Sequence, residues 1–181
     1  IAIEINSFIR YKMRGALKCY FVDLDNTLIP GVWEEDKESI VEEYQKPSSG
    51  SFHSLKMFLK KQASYGAQVI IVSKNDHSSI IEALECIDRN WHQWITHIDS
   101  GWGVKHERIN QMIIQIGISA EDSLIVDDNP IEIGSIEEYL PLANRQLFKN
   151  NFQHFVRDLK SKGLYLFGNA SFNEERKDYY K

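Results

Sequence analysis

The sequence predicts an α/β domain of Rossmann-like form, a three-layer sandwich around a mostly parallel central sheet. Three observations carry this. Short apolar runs rich in β-branched and aromatic residues, such as Lys18-Cys19-Tyr20-Phe21-Val22 and Gln68 to Val72, alternate with longer amphipathic stretches. The runs are continuously apolar, as expected of strands covered by helices on both faces. Several end in a polar cluster at their carboxyl side, where open α/β sheets bind ligands.

The elements follow in order. Residues 1–17 read as an amphipathic lead-in helix, with Ile3, Ile5, Phe8 and Ile9 as its apolar positions. The first strand covers roughly 18–24. Ile29-Pro30-Gly31-Val32-Trp33 reads as a turn or short flap, and the acidic stretch 34–46 as a solvated helix. Pro47-Ser48-Ser49-Gly50 breaks the chain before a helix carrying Phe52, Leu55, Met57, Phe58 and Leu59. Tyr65-Gly66 closes that helix, and Gln68 to Val72 forms the second strand. A helix over 77–86, a Trp91–Trp94 segment and a short strand near 94–98 come next. A helix over 104–116 ends at Gly117, and Ser123 to Val126 makes the fourth strand. Asn129-Pro130 opens another helix, because Pro suits a first helical turn. Residues 145–148 are expected as a last strand and 150–161 as a last long helix.

Composition excludes some classes of function. The chain has 181 residues, 43% of them apolar and 26% charged, enough for one domain with a sizeable core. The net charge of −5 and the lack of a basic stretch argue against nucleic-acid binding. The apolar runs are too short to span a bilayer, and no secretory signal opens the chain. The chain begins with Ile, which fits a domain cut from a longer protein. Two cysteines, Cys19 and Cys86, make neither a disulfide framework nor a zinc site and fit a reducing cytosol. The expected location is therefore cytoplasmic.

Three polar clusters carry the chemistry. Asp23-Leu24-Asp25-Asn26-Thr27 ends the first strand, Ser73-Lys74-Asn75-Asp76 the second and Asp127-Asp128-Asn129 the fourth. Each alone could be a helix cap or a turn. Together they face one crevice. Asp23 and Asp25 should leave one face of their strand, roughly 6–7 Å apart at Cα. Asp23, Asp25, Asp127 and Asp128 cannot all ionise close together without a counter-charge. Mg²⁺, a hard cation that takes one or two carboxylates plus waters and a phosphate, fits this set. Ser73 offers a hydroxyl and Lys105, after Gly101-Trp102-Gly103, a mobile positive charge; with the cation they would cradle a phosphoryl group. One carboxylate can then attack phosphorus while another moves the proton. Receiver domains use similar residues, but there the acidic pair comes first in the chain and here it comes last.

This order resembles the haloacid dehalogenase superfamily: DxDxT, then Ser or Thr, then Lys, then an acidic pair. The strings KCYFVDLDNTL, VSKNDHSSIIEALE, GWGVK and LIVDDNPIEIGSIEEYLP look like its FkbH-like branch. The resemblance implies one domain over 1–181, with the lead-in helix over 1–17, a catalytic core over 18–148 and C-terminal helices over 149–181. It implies Asp23 as nucleophile and Mg²⁺ ligand. Asp25 would be the acid/base and would bind the ion through its backbone carbonyl. Asp128 would be the third ligand, with Asp127 in or beside the coordination sphere. Ser73 and Lys105 would hold the phosphoryl group, and Asn26, Thr27, Lys74 and Asn75 would line the site.

The implied activity is a phosphohydrolase or phosphotransferase acting on a phosphorylated small acid such as a phosphoglycerate. Alternatives are a glyceryl transferase loading an acyl carrier protein in polyketide biosynthesis, a magnesium-dependent phosphatase of phosphotyrosine or sugar phosphates, and a non-catalytic scaffold. The chain departs from the FkbH-like branch at Leu28-Ile29-Pro30-Gly31-Val32, where the branch reads LWGGV, and at Val72, where it tends to carry Cys. About 50 residues separate the first motif from Ser73 and about 30 separate Ser73 from Lys105, which leaves no room for a large cap domain. Trp33 and Trp102 either border the mouth or pack within the fold; Trp91 and Trp94 are expected in the core.

Overall fold

The structure, a computed structural model, describes residues 15–165. Five strands form one sheet in the order β3-β2-β1-β4-β5, and every neighbouring pair runs parallel. They are β1 (Cys19–Val22), β2 (Gln68–Ser73), β3 (His97–Ser100), β4 (Ser123–Asp127) and β5 (Asn144–Leu147). The helices between and after them are α1 (Lys37–Tyr44), α2 (Gly50–Ser64), α3 (His77–Ile87), α4 (Lys105–Gln115), α5 (Pro130–Tyr139) and α6 (Phe152–Ser161).

The three layers follow from strand alternation. Cys19 and Phe21 on β1, Ile70 and Val72 on β2, and Ile125 on β4 pack against Ile109, Met112 and Ile113 of α4 and Ile136 of α5. The intervening Tyr20, Val22, Val69, Ile71, Leu124 and Val126 face Leu55, Leu59, Ile80, Leu84, Phe155 and Leu159 of α2, α3 and α6. The three central strands are buried throughout apart from the first residue of β2, which explains their uniformly apolar sequence. No large cap is inserted at either of the two gaps flanking Ser73.

Some expected boundaries move. The lead-in helix over 1–17 lies outside the described residues except for 15–17, which are not helical. The C-terminal stretch contributes α6, and 166–181 lie outside the described residues. The acidic helix begins at Lys37 because Asp36 caps it, accepting from the Ser39 N–H at 3.0 Å. The third strand lies at His97–Ser100, three residues beyond its expected start. Trp94 and Ile95 are buried as expected of apolar residues, but their N–H groups bond back to the Trp91 carbonyl and so belong to a turn. Trp91 packs at the margin of the core rather than inside it. Cys19 is fully buried and Cys86 is exposed on α3, both as free thiols.

Candidate active site

The sheet order places the polar strand ends together. β1 is central, with β2 on one side and β4 on the other, so the carboxyl ends of three adjacent strands open on one cleft of about 340 Å³. It is lined by Asp23 and Asn26 after β1, Ser73 and Lys74 after β2, Lys105 at the start of α4, and Asp127 and Asp128 after β4. Asp25, Asn129, Pro130 and Glu132 complete it.

Register and alternation decide which carboxylates meet. Val22 pairs with Val126, and the Asp23 N–H donates to the Val126 carbonyl at 3.0 Å. Asp23 and Asp127 therefore stand side by side. Both continue the strand face that carries Phe21 and Ile125, the face covered by α4. Lys105, the first residue of α4, meets both: its Nζ donates to Asp23 Oδ1 at 2.8 Å and to Asp127 Oδ2 at 2.6 Å. Lys105 was expected to be mobile. It is instead buried and fixed, because two desolvated carboxylates require a cation between them.

The electrostatics follow from this burial. Desolvation pushes the Asp23 carboxyl up to about 7; Lys105 opposes the shift and Asp127 adds to it. Burial alone would lower Lys105, but the flanking carboxylates outweigh it and raise the ammonium above its ordinary value. Asp128 is raised by desolvation and by its neighbour Asp127. One carboxylate oxygen from each of Asp23, Asp127 and Asp128 lies within 4.8 Å of the others. A single lysine does not balance them, and an all-oxygen trio at this spacing fits a hard divalent cation.

Asp25 is built differently. The loop after β1 folds back so that the Leu24 carbonyl accepts from the N–H groups of Thr27, Leu28 and Ile29. Asn26 takes a positive φ of 52°, its N–H donates to the Gly31 carbonyl, and its Oδ1 accepts from the Gly31 N–H at 3.1 Å. Gly31 has a φ of 96°, which favours glycine, and a Cβ there would sit 3.1 Å from the Ile40 side chain, which would have to give way. This loop brings the Trp33 N–H to Asp25 Oδ1 at 3.0 Å, while Asn75 Nδ2 donates to Oδ2 at 2.8 Å. The Asp25 carboxylate is thus held by its own two donors and is not one of the acidic trio. Its proton affinity is raised by burial and only partly lowered by those two donors.

Of the residues expected to line the site, Asn26 and Lys74 do so. Thr27 and Asn75 are buried behind it, where Thr27 Oγ1 donates to Asp128 at 3.4 Å and Asn75 braces Asp25. Trp33 is 1% exposed and packs within the fold, whereas Trp102 is 74% exposed on the loop before Lys105. Lys74 pairs with Glu132 of α5 across the cleft.

Arg108 was not foreseen. Its Nε donates to Asp99 Oδ2 at 2.9 Å, one terminal nitrogen to the Asp99 and Ser73 carbonyls at 2.8 and 3.2 Å, and the other to the Gly101 carbonyl. It therefore ties the ends of β2 and β3 to the loop that delivers Lys105. The available signal was its place three residues after Lys105, on the same side of α4. Arg108→Ala is expected to free that loop, raising hydrogen-exchange rates at the Gly101 to Lys105 amides at least about tenfold while β1 and β4 amides stay protected. Unchanged exchange would show that the clamp does not hold the loop.

No protein-family model matches the sequence, and no curated protein matches it. Solved structures do. One is the N-terminal part of a Bacteroides fragilis protein, containing a phosphatase domain and complexed with Mg, at 24% identity and a TM-score of 0.74. The match covers 92% of this chain and 44% of that one, so this chain spans less than half of that structure. A HAD family enzyme from Bacteroides thetaiotaomicron, complexed with magnesium and inorganic phosphate, matches at 12% identity and a TM-score of 0.52 over 77% of this chain and 99% of that one. The HAD domain of a Legionella pneumophila effector protein (an inactive mutant) matches at 14% identity and 0.55, over 80% and 93% of the two chains. The fold is thus the one shared by these phosphatase and HAD domains. Identities this low bear on the fold alone.

Proposed function

We propose that the chain is a Mg²⁺-dependent phosphohydrolase or phosphotransferase that works through an aspartyl-phosphate at Asp23. The observation that carries this reading is that Asp23 bonds Lys105 and also belongs to the acidic trio with Asp127 and Asp128, in a cleft that Ser73 also lines. The Mg complexes among the structural neighbours support the same choice of ion. Asp23, Asp127 and Asp128 would hold the Mg²⁺, which when bound neutralises phosphoryl oxygens and draws them towards the nucleophile.

The residues divide the chemistry. Lys105 engages one Asp23 oxygen and leaves the other for attack on phosphorus. As the Asp23–phosphorus bond forms, the bond to the leaving oxygen breaks, and Asp25 gives that oxygen its proton. Burial raises the proton affinity of Asp25, which suits an acid. Asp25 then takes a proton from water as that water attacks phosphorus, releasing phosphate and restoring Asp23. Ser73 and Lys105 hold the transferring group.

The FkbH-like strings support a phosphorylated small acid, such as a phosphoglycerate, as substrate. They would also suit onward transfer to an acyl carrier protein. However, neither cysteine lines the cleft, and buried Val72 stands where that branch tends to carry a thiol. Hydrolysis is therefore the preferred outcome.

The test is phosphate release from a panel of phosphorylated metabolites with and without Mg²⁺. Metal-dependent release, with one phosphoryl group trapped on Asp23 by acid quench and peptide mass, is the expected result. Release that ignores the metal, or none across the panel, overturns it.

Metal affinity should depend on pH through Asp23. Its carboxyl is raised in the folded protein, so protonation favours the metal-free fold; that stabilisation is complete below the ordinary value of 3.8 and is lost as pH rises through about 7. Mg²⁺ must displace this proton. The Kd for Mg²⁺ is expected to weaken by up to about tenfold per unit as pH falls below 7, measured by calorimetry with protons released on binding.

A further inference from the structure

A second cleft, of about 450 Å³, adjoins the first and shares Asn26 and Asp128 with it. We propose that this cleft receives the leaving group of the phosphomonoester, and that Lys149 selects substrates whose leaving group carries a second anionic group. The proposal rests on the phosphohydrolase reading above and goes beyond it by naming a subsite and a selecting residue.

The boundary between the clefts is hydrogen-bonded. Thr27 Oγ1 donates to Asp128 at 3.4 Å, and Asn26 is bonded in both directions to Gly31. Asn26 and Asp128 line both clefts and Gly31 lines the second, so a group leaving from phosphorus at Asp23 would enter the second cleft past Asn26 and Asp128. The opposite wall is Phe148, Lys149 and Asn150, which follow β5. It is fixed to the catalytic strand end, because the Phe148 N–H donates to the Asp127 carbonyl at 2.8 Å. Phe148 is buried and packs edge-on against Phe52, another lining residue, with centroids 5.9 Å apart.

Charge then chooses the occupant. The cleft holds two acids. Asp128 belongs to the metal trio. Glu43 is already engaged by Ser48 Oγ at 2.6 Å and Lys46 Nζ at 3.0 Å, and these bonds hold its carboxyl below its ordinary value. Lys149 is exposed, and among the described residues no carboxylate pairs with it. It is the cation left to meet a ligand, and a carboxylate or a second phosphate supplies the matching charge. A cleft of this size holds a short carbon chain or a sugar.

The test uses substrate pairs that differ in the distal charge. Glycerol 3-phosphate against 3-phosphoglycerate reads a carboxylate, and fructose 6-phosphate against fructose 1,6-bisphosphate reads a phosphate. The ratio of kcat/KM within a pair is the measured quantity. Wild type should favour the charged member of at least one pair by about fivefold. Lys149→Ala should erase that preference, Lys149→Glu reverse it and Lys149→Arg keep it, and the pair that responds identifies the anion. Phosphate release with ratios indifferent to residue 149 overturns the subsite and leaves the phosphohydrolase reading standing.

Absence of release from every substrate overturns the phosphohydrolase reading instead. The cleft is then read without turnover, by titrating wild type with glycerate and with glycerol and following the Lys149 and Asn150 amide resonances. Shifts with glycerate alone uphold an anion site at Lys149, and equal shifts or none overturn it.

Discussion

Asp23→Asn is expected to lower Mg²⁺-dependent phosphate release by at least about ten-thousandfold, because the amide cannot form the covalent intermediate. The side chain keeps its size, and Lys105 keeps its bond to Asp127, so the fold should persist. A thermal melt within a few degrees of wild type would show that the loss is chemical. Equal release by Asp23→Asn and wild type would remove Asp23 from the reaction and with it the central proposal.

Lys105→Met is expected to destabilise the metal-free protein strongly. The side chains of Lys105, Asp23 and Asp127 are 5%, 11% and 2% exposed. Removing the cation leaves two adjacent carboxylates desolvated without a counter-charge, at a cost of about 3–5 kcal/mol. Urea unfolding measures this directly. Saturating Mg²⁺ should return part of the loss, since the cation would replace the missing charge on Asp23 and Asp127, whereas added NaCl at equal ionic strength should return much less. Phosphate release should stay depressed even with metal, because the phosphoryl group loses a donor. A variant as stable as wild type without metal would show that Lys105 does not balance the pair.

Much of this was legible because the sheet is buried on both faces. Continuous apolar runs named β1, β2 and β4, and polar residues that stopped those runs line the candidate cleft. Asp23, Ser73, Asp127 and Asp128 could be read from strand ends. The edge strand was harder to place. β3 is His97-Ile98-Asp99-Ser100, only half covered, so its sequence lacks an apolar run, and the adjacent Trp94-Ile95 drew the expected strand backwards. Side-chain pairing was not legible at all. That Lys105 sits between Asp23 and Asp127 depends on the register of β1 with β4 and the docking of α4. That Thr27 and Asn75 brace the acids depends on the fold of the Leu24–Trp33 loop. Arg108 pairs with the Asp99 carboxylate but otherwise acts on three backbone carbonyls, which leave no residue-specific trace for a sequence to show.

The two thiols differ in a way that gives an experimental handle. Cys19 lies sealed at the centre of the sheet, and burial pushes its thiol far up. Cys86 is exposed on α3, and desolvation together with Glu82 and Glu85 raises it more modestly. With only two cysteines in the sequence, a maleimide probe at mildly alkaline pH should attach to the native protein at one position, without mutagenesis. That position lies close to Glu82, which accepts from the Trp33 indole at 3.4 Å and pairs with Lys37. A fluorophore there would sit against the support of the Trp33 N–H that steadies Asp25, and its emission could report when ligand binding tightens the loop above it.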